Sequence, residues 1–141
     1  MAGLDDLDPA ERDGEHGGYL KAWEKFLADK RPNWAGIEQQ RYSVRYGFAG
    51  TMDRCGSLEF FGPSPWVIDV KTSAAKYRVW GMQTAAYRQL LVESDPQWLL
   101  ARRGTVRLRP NGTYLFDEWT DPRDLPAFLA LTTFMDWMNH E

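Results

Sequence analysis

The chain has one cysteine, Cys55, and two histidines, His16 and His140, in 141 residues. A single thiol excludes an internal disulfide framework, a multi-cysteine zinc site and an iron–sulfur cluster on cysteine ligands, and it fits a reducing compartment. Both histidines lie in terminal segments and no nucleophile motif accompanies them, so a Ser-His-Asp triad has no support. No Gly-rich G-x-x-x-x-G-K-S/T loop is present, so the chain carries no ATPase motor of its own. Its longest uncharged runs, such as 125–135, fall far short of the ~18 apolar residues of a membrane-spanning helix, which predicts no membrane partner. The acidic start lacks the apolar core of a secretory signal, and a cytoplasmic location is expected. There is no repeat and no low-complexity stretch.

What is there suits one globular domain. At 43% hydrophobic and 26% charged residues, the chain is too apolar for a disordered tail and long enough to bury a core. The net charge of -3, from 17 Lys+Arg and 20 Asp+Glu, argues as a whole against a nucleic-acid partner. The sum conceals a pattern. Residues 1–16 hold six acids and one base, residues 117–141 hold six acids and one base, and residues 17–116 hold 15 bases and 8 acids. A basic middle between two acidic ends reads either as surface variation or as a surface for a polyanion.

Residues 1–16 read as an acidic flexible tail and 17–141 as a single domain. Tyr19, Leu20, Trp23, Phe26 and Leu27 recur at helical spacing, and Pro32 closes that helix. Over 37–48, Tyr42, Val44, Tyr46 and Phe48 alternate with Arg41, Ser43, Arg45 and Gly47, the pattern of a half-buried strand. A second strand follows over 50–60, then a turn at 62–65 and a short β-branched central strand over 66–72. A helix over 77–93 has Val79, Met82, Ala86 and Leu90 as its core stripe. Strands over 105–109 and 113–118 flank Pro110-Asn111-Gly112, a hairpin signal. The last helix, 124–139, is expected to bury Leu125, Phe128, Leu129, Thr132 and Met135. The expected class is α/β (α+β), a central mixed β-sheet flanked by helices.

The strongest chemical feature is Asp53 followed by Asp69-Val70-Lys71. Along a strand, i and i+2 share a face, so Asp69 and Lys71 stand together. The pair reads as a structural ion pair at a strand end or as part of a site. Antiparallel neighbours about 5 Å apart bring Asp53 beside Asp69. Two such carboxylates repel, and a divalent cation relieves the repulsion; oxygen ligands favour Mg²⁺ or Mn²⁺. Lys71 would then orient a water or steady a phosphate oxygen. On the following helix Gln83 and Tyr87 lie at i and i+4, a solvated residue and a core aromatic or two members of the site.

Gly-Phe-Ala-Gly-Thr-Met-Asp53-Arg, then Trp-Val-Ile-Asp69-Val-Lys71-Thr, then Gln83-Thr-Ala-Ala-Tyr87 resemble the PD-(D/E)xK nuclease superfamily, and among its branches the RecB-like phage and prophage exonucleases. The resemblance covers roughly residues 19–137. It implies a restriction-endonuclease-like core and metal-dependent hydrolysis of DNA phosphodiesters in recombination, repair or processing, inside a bacterial host cell. It implies metal ligands at Asp53 and Asp69 with the Val70 carbonyl as a further ligand, and Mg²⁺ (or Mn²⁺) as cofactor; Glu38 reads as a secondary ligand candidate or as a surface strand residue. Lys71 would position the attacking water, and Gln83 and Tyr87 would sit beside the site and touch DNA. Lys76, Arg78, Arg107 and Arg109 are candidate DNA contacts, with a solvated strand face as the rival reading of the arginines. Partners would be DNA and a phage recombination or replication protein. Many relatives carry an upstream histidine; here His16 is read as a linker residue, and the alternative is a catalytically impaired nuclease-like module that binds DNA or protein. Trp34, Trp98 and Trp119 lie in or near expected loops and either finish a core edge or stack on unpaired bases.

Overall fold

The computed structural model describes residues 15–140. Helix α1 spans Glu15–Lys30, strand β1 Pro32–Ser43, β2 Phe48–Leu58 and β3 Pro65–Lys71. Helix α2 spans Val79–Ser94, β4 Arg102–Leu108, β5 Tyr114–Trp119 and helix α3 Asp124–Asn139. One-turn 3₁₀ segments cover Glu59–Phe61 and Pro96–Leu100. The strands form one mixed sheet in the order β1-β2-β3-β4-β5. The β1–β2, β2–β3 and β4–β5 pairs are antiparallel, and β3–β4 is parallel, with α2 as the crossover. The α+β class and the mixed sheet with helices on its faces are as expected.

Two apolar layers hold the sheet. On one face Ala22, Trp23 and Phe26 of α1 pack on Leu58, Trp66, Ile68, Val106 and Leu108. On the other, Met52, Cys55, Val67, Leu91 and Ala101 pack together, with Tyr87 and Trp98 against them. Both faces of β3 are therefore covered, which is why Trp66-Val67-Ile68 is apolar without alternation. Helix α1 ends where Arg31 turns left-handed at φ 48 and Pro32 supplies no N–H donor. Its first turn lies on the β4–β5 turn, so close that a Cβ on Gly18 would overlap the Pro110 carbonyl oxygen.

Several expectations are corrected. Helix α1 opens at Glu15, so His16 is helical and not a linker residue; residues 1–14 of the expected tail lie outside the described residues. The expected strand over 37–48 is two strands and a turn. β1 ends at Ser43, and Val44, Arg45, Tyr46 and Gly47 turn the chain. The Ser43 hydroxyl accepts the Tyr46 N–H at 3.0 Å and donates to Glu93 at 2.7 Å, while Gly47 takes φ 72. Local bonds of this kind override the aromatic alternation. The buried stripe of α2 is Trp80, Gly81, Thr84, Ala85, Ala86, Leu90 and Leu91; Val79 is exposed, because the helix starts at that residue with no turn packed over it. On α3 only Asp124 is buried, Met135 is exposed, and Leu125, Phe128, Leu129 and Thr132 are half-buried. Helix α3 meets the rest through α2, through Phe128 on Phe48, 4.9 Å between centroids, and through Asp124 on Arg103 of β4. Trp34 belongs to β1, Trp98 to a 3₁₀ turn, and Trp119 ends β5 with its indole N–H donated to Thr105 at 3.1 Å; all three finish core edges.

Candidate functional site

The candidate site forms where the β2–β3 ladder stops. The last paired residues are Arg54 and Ile68; one step further stand Asp53 and Asp69. Here the strands part, and the Asp53 carboxylate accepts the Val70 N–H at 3.0 Å in place of a backbone carbonyl. Asp53 is thereby fixed beside the Asp69 carboxyl. Across β1, Glu38 holds φ 48, a left-handed kink that interrupts the edge strand beside the same gap. Glu38, Asp53, Arg54, Val70 and Thr72 line a cavity of about 270 Å³.

Lys71 closes the other side. Its Nζ lies 2.8 Å from Asp69 Oδ2 and donates to Gln83 Oε1 at 2.8 Å, with the Trp80 ring centroid 5.6 Å away. The contact with Asp69 is close but poorly aligned for a hydrogen bond, and Asp69 Oδ2 is a buried oxygen without a hydrogen-bond partner. Burial of Asp69, followed by its hydrogen bond with Asp53, pushes its carboxyl pKa up to about 7, against the pull of Lys71. Tyr87, above the pair on α2, is pushed up to about 12 by burial and by the charges of Asp69 and Asp53. It remains a hydroxyl donor at neutral pH.

Five of the residues expected from the sequence are thus gathered: Asp53, Asp69 and Lys71 directly, Gln83 through Lys71, and Tyr87 through its interaction with both carboxylates. Glu38 reaches the cavity wall but not the carboxylate pair, and among the described residues no three His, Cys, Asp or Glu side chains cluster for a metal ion. The donor set still suits a hard cation. It comprises two adjacent carboxylates, one with a buried oxygen lacking a hydrogen bond, and the Val70 backbone beside them.

The candidate DNA contacts are arranged differently. Lys76 is 3.4 Å from Asp117, and Arg78 is 2.6 Å from Asp121. Arg107 donates to the Ala74 carbonyl at 3.2 Å and lies 3.9 Å from Asp117. It stands beside Lys71 in the β3–β4 register. Arg109 falls just past the end of β4, with its Nε buried and without a hydrogen-bond partner. The acidic segment from 117 onward therefore folds back on the basic middle. Arg102 makes two bonds to Glu118, at 2.7 and 2.8 Å, and Arg103 is buried against Asp124 at 2.9 Å.

Sequence reasoning assigned no role to Arg54. Arg54 follows Asp53 in a mixed polar and apolar stretch, Thr51-Met52-Asp53-Arg54-Cys55, which carries no cue to its burial. No protein-family model matches the chain, and no curated protein matches it in sequence.

Proposed function

We propose that the chain is a metal-dependent deoxyribonuclease with a restriction-endonuclease-like core. The observation that carries this reading is the meeting of Asp53, Asp69 and Lys71 at the parting of β2 and β3, with Asp69 Oδ2 buried and paired with the Lys71 ammonium at 2.8 Å. The element order supports it: a helix, three antiparallel strands, a helix, then a strand parallel to the third.

On this reading Asp53 and Asp69, with the Val70 carbonyl, hold a Mg²⁺ or Mn²⁺ ion. The bound ion supplies Lewis-acid polarisation of a phosphoryl oxygen and a water of lowered pKa. The Lys71 ammonium, anchored by Gln83, orients a water in line with the phosphorus and faces the charge that develops on the phosphoryl oxygens. Tyr87 keeps its proton and is available to donate to a phosphate oxygen. A phage or prophage exonuclease that works with a recombination or replication partner is the biological form the sequence resemblance suggests.

End-labelled linear DNA and closed circular DNA are incubated with Mg²⁺, Mn²⁺ or EDTA. Cation-dependent shortening of the linear substrate is expected, and product from the closed circle would assign endonuclease action. No cleavage with either cation overturns the reading. A second reading, a nuclease-like module that binds DNA without cutting it, is favoured by the lack of a three-carboxylate cluster among the described residues. Retained binding without cleavage would select it.

A further inference from the structure

Arg54 is buried, at 4% exposure, yet the hydrogen bonds and ion pairs among the described residues include none to its guanidinium. Its contacts are two indoles: the guanidinium carbon is 4.9 Å from the Trp23 centroid and 5.3 Å from that of Trp34. Those rings are parallel within 4° and 6.3 Å apart. The indole faces offset part of the cost of dehydrating the cation, but they accept none of its five N–H donors in the plane of the fork. Other well-buried guanidinium groups are treated differently. Arg103 has Asp124, Thr84 and the carbonyls of Gly81 and Asp121. Burial alone lowers the pKa of Arg54, with no carboxylate to counter it.

The residue lines the cavity that Asp53, Glu38, Val70 and Thr72 also line. The lining thus carries a cation with free donors together with the carboxylates of Asp53 and Glu38. An anion alone would be repelled by the carboxylates, and a metal ion alone by the guanidinium. A phosphodiester accompanied by a divalent cation satisfies both at once. Arginine is also the cation whose planar fork matches two phosphate oxygens.

We propose that Arg54 is a phosphate-binding residue for the nucleic-acid backbone, holding a phosphodiester in the cavity beside Asp53. The identity of the ligand rests on the nuclease reading. Trp23 and Trp34 flank the guanidinium, and its N–H donors have no protein acceptor among the described residues.

The test separates this site from turnover. Wild-type protein is titrated with hexathymidylate in Ca²⁺ and, separately, with inorganic phosphate in EDTA, and the arginine Nε–H resonances are followed, that of Arg54 being assigned through bonds from the backbone of the wild-type protein. A saturable shift of the Arg54 resonance with the oligonucleotide is expected. A shift with phosphate as well means that the anion alone suffices. No shift with either ligand overturns the proposal, and this measurement does not depend on any variant folding. Hexathymidylate affinity is then measured against salt for wild type, R54K and R54Q. R54Q is expected to bind about tenfold more weakly, and its log–log salt slope to be shallower by about 0.7. R54K should keep the slope. A variant that loses thermal stability while keeping affinity and slope would show Arg54 to be structural only, and would overturn the proposal. Loss of the nuclease reading has a different signature: no cleavage with either cation, whatever Arg54 does in binding.

Discussion

Lys71 Nζ is held 2.8 Å from Gln83 Oε1, so the ammonium at the end of the central strand is positioned by the helix that leaves it. The bond spans twelve residues and ties β3 to α2 across the sheet face that carries Asp69. Gln83→Ala should lower kcat by about tenfold while KM changes little, because a misplaced ammonium costs orientation and not substrate contact. Steady-state cleavage kinetics read the split. An unchanged kcat would remove Gln83 from the site.

Asp69→Asn and Lys71→Ala should keep the fold by circular dichroism and lose cation-dependent cleavage by at least about 100-fold. Full activity in both purified variants would sink the nuclease assignment.

Stability should depend on pH through Asp69. In cation-free buffer its carboxyl holds a proton up to about pH 7 in the folded protein, against 3.8 as the ordinary value. The folded state therefore binds this proton more tightly than the unfolded chain. The resulting stability is fully present below about pH 4 and is lost as pH rises toward 7. The difference in Tm between wild type and Asp69→Asn, measured in EDTA, should move against wild type over that window and level off above it. Other carboxyls, such as Glu93, are pulled down by hydrogen bonds and titrate the opposite way, so the difference and not the wild-type curve is the readout. Adding Mg²⁺ at pH 8 should raise the wild-type Tm and leave that of Asp69→Asn nearly unmoved.

Arg103 and Asp124 form a buried ion pair that joins β4 to the start of α3 and, through the Gly81 carbonyl, to α2. Asp124→Ala leaves the guanidinium buried without its charge partner and should cost about 3–5 kcal/mol. Replacing both members with apolar residues, Arg103→Met with Asp124→Leu, should recover much of that loss. Urea denaturation of the single and double variants measures it. Equal destabilisation in both would mean that the side chains matter for packing more than for charge.

Asp121 binds both Arg78 and Arg123, at 2.6 and 2.8 Å, and these bonds hold its carboxyl well below the usual range. Asp121→Asn should release both cations and strengthen DNA binding, with a steeper salt dependence. Unchanged binding would show that Arg78 and Arg123 lie away from the DNA path.

Hydrophobic periodicity made most elements legible. Tyr19, Trp23 and Phe26 mark α1, Trp66-Val67-Ile68 marks the central strand, and Asn111-Gly112 marks the β4–β5 turn. The turn at Val44–Gly47 was not legible, because its cause is Glu93, about fifty residues away, bonding Ser43 and the Arg45 N–H. The apolar stripe of α3 suggested a buried helix, yet Met135 of that stripe stands 46% exposed, since periodicity marks an apolar face without saying whether anything covers it.

The amino-acid sequence by itself determined the inventory: two aspartates and a lysine on adjacent strands, a Gln and a Tyr one helical turn apart, a basic middle and acidic ends. Those are properties of local order along the chain. Tertiary structure decided how they meet. The register that ends at Arg54 and Ile68 sets Asp53 beside Asp69, and burial then lifts the Asp69 pKa. Folding of residues 117–124 onto the basic segment pairs Lys76, Arg78, Arg102 and Arg103 with carboxylates, while Arg54 is enclosed by indoles with none. Charge along a chain is additive, but its availability to a ligand depends on which opposite charges the fold brings within a few ångströms.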